Sequence, residues 1–407
     1  MNTSLHSRIV LLVIAALVAI GGSTRIRASQ TGTCGGQSTS IPFDDVLPGN
    51  VFFCAIAEAY FSGLTNGTTA TTYSPSANVP REQMAAFITR TMDRSAQRGS
   101  KRAALNQYWT TQTPGNLALT TVGNVPTFVQ SDGADVWVTN YTSASVSRVR
   151  ASDGRLLDTY TGANAAEGVL CAMGRVFVTG STDVGTGALY EIDPTQPGGP
   201  VTTLSSSVGV GPQGIGYDGI RIWTANSNSS VSFITLNPTS VGTVGGFNHP
   251  AAVIYDGSNI WVTDSISGTN GKIHKLDSAG AILLSVDVGR SPVYPAFDGT
   301  NIWVPNGASN SVSVVRAVGS FAGTVIATLT GNGLAIPFQA AFDGERILVT
   351  NSDGGAGGHN VSLWMATDLT PIGTFSTGGG TLPFGACSDG LSFWIVLYGS
   401  PGMLARF

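Results

Sequence analysis

The stretch YDGSNIWVTD, from Tyr255 to Asp264, decides the fold of this chain because its pattern returns along the sequence. An Asp-Gly step is followed, five residues after the Asp, by a large apolar residue inside a β-rich run. Related stretches begin at Ser131, Tyr217, Phe297 and Phe342. Self-similarity at a regular period is the signature of a repeat fold, so the count and spacing of the copies predict the architecture.

Seven units of this kind occupy residues 116–407, at spacings of 38 to 46 residues. The position of the Asp is held in turn by Asp132, Ala172, Asp218, Asp256, Asp298, Asp343 and Asp389. The large apolar residue five positions later is Trp137, Phe177, Trp223, Trp261, Trp303, Leu348 or Trp394. Four short β-rich runs per unit are typical of a propeller blade, so the sequence predicts a mainly β chain with a seven-bladed β-propeller.

The two ends of the array predict how the ring closes. The last unit offers only three β-rich runs, FGACS, FWIVLY and MLARF. An unpaired run, LALTTV at residues 117–122, precedes the first unit. If this run is the fourth strand of blade seven, the ring closes and no sheet edge is left open.

The Asp-Gly motif itself is expected to be architectural. Asp-Gly supplies the positive φ that a tight turn requires, and the Trp is expected to pack between sheets. These turns join the first and second strands of each blade. They therefore lie on the face opposite to the loops that precede each first strand, and we call the latter the loop face. A concave site for a ligand is expected on the loop face.

Two sets of residues on the loop face are candidates for binding a ligand. Beside the prolines that open the first strands lie Gln213, His249, Tyr294, Phe338 and Phe384. The loops after the second strands begin with Asp264, Asn306 and Asn351. Amide side chains at these positions either satisfy loop backbone groups or bind a sugar or peptide. The expected ligand is an unidentified protein or carbohydrate.

Composition excludes some partners. Only 11% of the residues are charged, the net charge is -4 and the isoelectric point is near 5.5. Lysine occurs only at Lys101, Lys272 and Lys275, so the chain offers no basic surface for nucleic acid.

The N-terminal 28 residues are expected to be an export signal. Arg8 precedes an apolar run from Ile9 to Ile20, which is short for a bilayer span, and cleavage is expected after Ala28. An uncleaved anchor is the alternative, and no later stretch reaches membrane length. We therefore expect an exported protein, located in the bacterial cell envelope or outside the cell. In such a compartment Cys34 and Cys54 can form a disulfide, whereas Cys171 and Cys387 are expected to be small buried residues.

Residues 29–94 differ from the repeats. Helical spacing from Phe52 and a second helix start in VPREQMAAFITR predict a small α-helical hairpin, followed by a linker over residues 95–115. The order FDDV from Phe43, then Ile56, Gly63 and Gly67, then Tyr73-Ser-Pro and VPRE from Val79 resembles a single S-layer homology (SLH) motif. The resemblance implies docking to a cell-wall polymer, with Arg81 contacting acidic groups and Glu82 assisting at the helix start. Pro80 replaces the Thr of the family pattern.

The repeats resemble the broad YVTN/NHL-like propeller group and, more loosely, the fold of virginiamycin B lyase. The latter resemblance implies paired His and Glu residues that hold a divalent cation such as magnesium on the loop face. Here His249 matches one such His, Asp264 is an alternative ligand for Mg²⁺ or Ca²⁺, and no His-x-Glu pair accompanies either residue.

We therefore expect an envelope-associated binding protein without a cofactor. A metal-dependent propeller lyase or hydrolase using His249 is the alternative. A scaffold for partner proteins is a third possibility.

Overall fold

The computed structural model describes residues 29–34, 37–61, 65–81, 83–85, 87, 118–182, 185–353, 358–378 and 381–407. The chain divides into two compact units, residues 1–103 and 104–407. The expected export signal, the expected linker and Glu82 lie outside the described residues. None of the helices in the described ranges is long and apolar enough to cross a membrane.

The N-terminal unit combines a β-hairpin with short helical segments. Strands β1 (Gln30–Cys34) and β2 (Gln37–Ile41) pair antiparallel, and helix α1 spans Phe53–Phe61. Residues 81, 83–85 and 87 also have helical backbone. The β-hairpin was not predicted from its polar sequence, QTGTCGGQSTSI. A disulfide between Cys34 and Cys54 links the hairpin to α1.

The residues that resemble an SLH motif form the core of this unit. Phe43, Val46 and Ile56 are buried together with neighbouring apolar side chains. The carboxylate of Asp45 accepts the backbone N–H groups of Tyr73 and Ser74 at 2.8 and 2.7 Å. These bonds fix the two ends of the motif against each other.

Residues 118–407 form seven four-stranded antiparallel sheets, as the sequence predicts. In blades 1 to 4 the strands, from the innermost outward, are β4 (Pro126–Ser131), β5 (Asp135–Asn140), β6 (Ser145–Arg150), β7 (Leu156–Thr161); β8 (Val169–Ala172), β9 (Arg175–Ser181), β10 (Gly187–Ile192), β11 (Thr202–Val208); β12 (Pro212–Tyr217), β13 (Ile222–Asn226), β14 (Ser230–Thr235), β15 (Ser240–Val244); and β16 (Pro250–Tyr255), β17 (Ile260–Asp264), β18 (Lys272–Leu276), β19 (Ile282–Asp287).

Blades 5 to 7 follow the same order, and the last one takes its outer strand from the start of the repeats. The strands are β20 (Ala296–Phe297), β21 (Asn301–Asn306), β22 (Ser311–Arg316), β23 (Val325–Thr330); β24 (Pro337–Phe342), β25 (Arg346–Asn351), β26 (Asn360–Met365), β27 (Pro371–Ser376); and β28 (Leu382–Ser388), β29 (Phe393–Tyr398), β30 (Met403–Arg406), β3 (Ala118–Thr121). Strand β3 pairs antiparallel with β30, with Leu119 opposite Ala405. This pairing joins the two ends of the array and closes the ring.

The Asp of each Asp-Gly step bonds both its own turn and the Trp of the second strand. In blade 4, Asp256 Oδ1 accepts the backbone N–H groups of Ser258 and Asn259 at 2.8 and 2.6 Å, and its Oδ2 accepts the indole N–H of Trp261 at 2.7 Å. Gly257 has a φ of 92°, which glycine adopts without strain. The carboxylate–indole bond recurs, at 2.7 to 2.8 Å, in Asp132–Trp137, Asp218–Trp223, Asp298–Trp303 and Asp389–Trp394.

The two blades without this bond also lack the indole. Blade 2 has Ala172 and Phe177 at the two positions, and blade 6 has Leu348, with Asp343 accepting the Nε–H of Arg346 at 2.9 Å. A buried indole N–H requires an acceptor, which explains why Asp and Trp occur together. The five indole rings are completely buried, and several pack against the next blade, as Trp261 does against Ile302 and Val304.

We predict that the Asp256–Trp261 bond is energetically coupled. Asp256→Asn leaves an acceptor for the turn but presents an amide donor to the indole N–H, so it should destabilise the fold by about 2 kcal/mol. Trp261→Phe removes the indole donor. In a double-mutant cycle, urea unfolding should give a coupling energy of about 1 kcal/mol or more.

Asp277→Asn is the matched control, because Asp277 Oδ1 accepts the N–H groups of Ala279 and Ala281 in a turn of the same blade without an indole partner. Its effect should stay within about 0.5 kcal/mol. Additive effects of the two changes at Asp256 and Trp261 would contradict the coupling.

Candidate functional site

The inner strands of the seven blades surround a central channel with a volume of about 520 Å³. Near the Asp-Gly turns its wall includes Ser131, Tyr217, Tyr255, Phe297, Phe342 and Ser388. Toward the loop face its wall includes Phe128, Gln213 and Tyr294.

Four aromatic side chains meet at the loop-face end of the channel. The ring centroids of Phe128 and Tyr294 are 4.5 Å apart, those of Tyr294 and Phe338 are 4.9 Å apart, and those of Phe338 and Phe384 are 4.6 Å apart. Tyr398, which is 40% exposed, stacks on Phe384 at 5.0 Å. Phe338 and Phe384 are half-buried, so solvent reaches part of each residue. We call Phe128, Tyr294, Phe338 and Phe384, with Glu167 and Gln213, the aromatic mouth.

β-Bulges shape the inner strands at this end of the channel. In blade 1 the register between β4 and β5 shifts between Pro126 and Val129, and the N–H of Phe128 is donated to the hydroxyl of the buried Thr139 at 3.1 Å. A bulge re-aims the side chains it carries. The same bond from an inner strand to a second-strand Thr occurs in Gly168–Thr179, Ala252–Thr263 and Gln339–Thr350.

Blades 5 and 6 are joined at the mouth by backbone hydrogen bonds. Tyr294 donates its N–H to the carbonyl of Phe338 at 3.3 Å, and Ala340 donates to the carbonyl of Tyr294 at 3.0 Å. Strand β20 is only two residues long because Pro292 and Pro295 cannot donate to the ladder. The backbone of Tyr294 therefore pairs with blade 6. The Tyr294 hydroxyl donates to Gln213 Oε1 at 3.4 Å.

Glu167 is the site residue that sequence reasoning missed. Burial raises the pKa of the Glu167 carboxyl to about 7. Burial also raises the pKa of Tyr294, and the negative charge of Glu167 raises it further. Within the described ranges, no hydrogen bond or ion pair is formed by its carboxylate oxygens. A signal was available, since Glu167 occupies the position in blade 2 that Gln213, Phe338 and Phe384 hold in their blades.

The predicted amides at the start of the second loops are buried within their blades. Asn306 and Asn351 are fully buried, as are Asn140 and Asn226. The Nδ2 of Asn306 donates to the hydroxyls of Ser311 and Ser313 at 3.2 and 3.0 Å. Asn351 donates to Asn360 Oδ1 and Ser362 in the same way. These side chains therefore connect the second and third strands and do not reach the solvent of the loop face.

Blade 4 replaces this amide with a carboxylate. Asp264 is completely buried and accepts the N–H groups of Asn248 and His249 at 3.0 and 2.7 Å. His274 takes the place of a third-strand Ser, with its Nε2 3.4 Å from Asp264 Oδ2 and its Nδ1 2.8 Å from the Ser285 hydroxyl. Burial raises the pKa of Asp264, but the bonds from His274, Asn248 and His249 outweigh burial and hold that pKa below its usual value.

His249 is exposed on the loop face, with its Nδ1 3.1 Å from the carbonyl of Ser227. A divalent cation does not fit at Asp264, because the backbone N–H donors already point at its carboxylate oxygens. In the described part of the chain no group of three or more His, Cys, Asp or Glu residues is placed to hold a metal ion.

Cys171 and Cys387 both line the central channel. Both are free thiols of intermediate exposure, so they are less enclosed than small core residues. Burial raises the pKa of Cys171 to about 12, and burial likewise raises the pKa of Cys387. Both thiols are therefore protonated at neutral pH.

In the N-terminal unit Arg81 is exposed at the start of the second helical segment. The structure brings Gln213, Tyr294, Phe338 and Phe384 together, and it leaves His249 on the rim of blade 4. Asp264, Asn306 and Asn351 are separated from them by burial in their own blades.

Comparison with known proteins identifies the fold. No family model matches the chain and no curated protein matches it, so the SLH resemblance depends on the quoted residues alone. A catalytically inactive virginiamycin B lyase from Staphylococcus aureus with quinupristin superposes with a TM-score of 0.56 at 15% identity, covering 72% of this chain and all of that one. Hydrazine synthase from Kuenenia stuttgartiensis superposes with a TM-score of 0.56 at 17% identity, covering 71% of this chain and 98% of that one. At these identities the likeness concerns the seven-bladed fold.

We predict that Glu167 makes stability fall as the pH rises. Between pH 4.5 and 7 the unfolded chain releases a proton that folded Glu167 keeps, so the unfolded state is favoured as pH increases through this window. Above pH 7 the ionised, buried carboxylate costs about 3 kcal/mol. Glu167→Gln removes this cost. The stability of the variant relative to the parent, from urea unfolding, should rise by about 2.5 kcal/mol between pH 5 and pH 8, and an equal difference at both values would contradict it.

Proposed function

We propose that the protein is an exported binding protein of the bacterial cell envelope, in which the propeller presents the aromatic mouth to a ligand. The observation that carries the proposal is the convergence of the mouth residues from six different blades. Ligand sites combine apolar and aromatic surface with a few polar groups that set orientation. Half-buried rings, one amide and one carboxyl give the mouth this composition.

The rings of the mouth are also held in place by the residues and hydrogen bonds around them. Phe128 and Tyr294 are largely buried, and the backbone bonds between blades 5 and 6 hold Tyr294 against Phe338. A ligand that lands on Phe338 and Phe384 meets rings already fixed in place, so little conformational entropy is lost on binding.

We propose further that the N-terminal unit attaches the protein to a cell-wall polymer. Arg81 is exposed, and a guanidinium binds carboxylate or phosphate groups in a bidentate manner. The Cys34–Cys54 disulfide suits an oxidising compartment outside the cytoplasm, in agreement with the expected export signal. In this proposal Glu82 assists Arg81, as the SLH resemblance implies.

A metal-dependent lyase or hydrolase is supported only by the fold. His249 is exposed, but the described residues form no group of three or more His, Cys, Asp or Glu side chains that could hold a metal ion. Binding at the mouth is therefore the function that the geometry supports best.

The mouth is tested by a thermal-shift screen of sugars, peptides and small organic molecules on the full chain. A ligand of the mouth should stabilise the parent protein and lose its effect in the Phe338→Ala/Phe384→Ala variant. Phe321→Ala is the matched control, because Phe321 is 75% exposed and lies between the third and fourth strands of blade 5. Ligands that stabilise the mouth variant and the parent equally would place the site elsewhere.

Wall attachment is tested by co-sedimentation of the full chain with purified cell walls. The parent protein should sediment, and Arg81→Ala should lower the bound fraction several-fold because it removes the bidentate donor. Arg155→Ala, an exposed arginine of the propeller, is the control and should bind like the parent. A parent protein that stays in solution would exclude wall attachment.

A further inference from the structure

We infer that the aromatic mouth recognises a small organic cation, such as a quaternary or protonated ammonium group. This inference rests on the proposed function, because it assigns a ligand class to the same site. Three observations carry it: the cluster of partly exposed aromatic residues, the unpaired Glu167 carboxyl, and the cations that lie over other ring and carboxylate pairs of this propeller.

The rings provide the first half of cation recognition. The face of an aromatic ring carries negative electrostatic potential, and a cation within about 6 Å of the centroid is attracted to it. Phe338 and Phe384 are half-buried, and Tyr398 is 40% exposed beside Phe384. The mouth thus offers adjacent aromatic residues that solvent reaches in part.

Glu167 provides the second half. Its carboxyl is the acidic group of the mouth and has no hydrogen-bond or ion-pair partner in the part of the chain that the structure describes. Because Glu167 is only partly exposed, its unpaired carboxylate is costly when ionised, and an arriving cation would offset part of that cost by pairing with it. The raised pKa of Glu167 agrees with this missing partner.

On the opposite face of the propeller, a cation from the chain lies over four of the five indole rings that bond a carboxylate, and Trp303 is the exception among the described residues. Lys275 Nζ lies 5.1 Å from the Trp261 ring centroid and 3.4 Å from Asp256 Oδ2. Arg148 lies over Trp137 at 5.2 Å, and Arg221 lies over Trp223 at 5.0 Å. Each of these rings is hydrogen-bonded to a carboxylate.

The mouth also brings a carboxylate near aromatic rings, since the charge of Glu167 acts on Tyr294. None of the Lys and Arg side chains in the described ranges lies over Phe128, Tyr294, Phe338 or Phe384. Arg290, on the loop before the first strand of blade 5, is exposed. On the face of the Asp-Gly turns, Lys275 or an arginine lies over the ring. At the mouth no such side chain is present among the described residues, so a cationic ligand can take the corresponding place.

The test compares choline with its neutral isostere, 3,3-dimethylbutan-1-ol, by calorimetric titration of the full chain at pH 8. The two molecules share size and shape, so a difference in affinity reports the charge. Choline should bind at least about fivefold tighter than the alcohol. Glu167→Gln should abolish most of this preference, and Phe338→Ala should weaken choline by about tenfold. Phe338→Leu, which keeps apolar volume, separates loss of the ring from loss of the fold, and Phe321→Ala should change neither affinity.

Four outcomes would overturn the inference. Equal affinities for choline and the alcohol would remove the role of charge while leaving an apolar ligand site at the mouth. A choline preference that survives Glu167→Gln would show that Glu167 does not supply the recognition. If neither molecule binds but another ligand from the screen depends on Phe338 and Phe384, only the cation assignment fails. If every ligand ignores these rings, the proposed function fails with it.

Discussion

The carboxylate of the Asp-Gly step is the constraint on which the rest of the propeller depends. In blade 4 one oxygen of Asp256 closes the turn while the other holds the indole of Trp261. The first hydrogen bonds fix the hairpin between strands one and two, and the second fixes the largest side chain of the interface with the next blade. A local turn and a contact between blades are therefore determined by a single side chain. Five of the seven blades contain this arrangement, so most of the ring is built from equivalent contacts.

Those contacts leave the loop face free for a different purpose. In blades 1 to 6, hydrogen bonds on that face are completed by buried Asn or Asp side chains, by second-strand Thr residues, or by both. The residues at the mouth consequently differ between blades without weakening the sheets. Glu167, Gln213, Phe338 and Phe384 hold equivalent positions in four blades, yet one is acidic, one is an amide and two are aromatic. Variation at an equivalent position of a repeated blade is typical of a binding surface on a repeat scaffold.

The fold could be predicted from the sequence because a propeller is specified by local sequence patterns that repeat in each blade. The Asp-Gly step, the Trp five residues later and the β-rich runs each need only a few neighbouring residues, and seven copies defined the count. The hairpin at Gln30–Ile41 was not predicted, because its polar, glycine-containing strands lack alternating apolar residues. The indole bond was also missed, since a pattern of spacing does not show which atom of a side chain finds which partner.

The site was only partly predictable for the same physical reason. Tyr294 and Phe338 were selected from their place beside the prolines, but their contact depends on hydrogen bonds between blades 5 and 6. Asp264 was selected as a candidate because it is the one carboxylate among the Asn side chains that begin the loops after the second strands. The structure shows that His274 changes with it, because a carboxylate cannot donate to the serines that an Asn would bond. Glu167 lacks any motif, and its chemistry comes from burial without a partner.

The most direct measurement is an X-ray structure of the full chain crystallised with choline. The account predicts the trimethylammonium group over the Phe338 and Phe384 rings, within about 6 Å of a ring centroid, and beside the Glu167 carboxylate. Density for choline at the Asp-Gly end of the channel, near Cys171 or Tyr217, would contradict the account. An unoccupied mouth at choline concentrations that saturate binding in solution would contradict it equally.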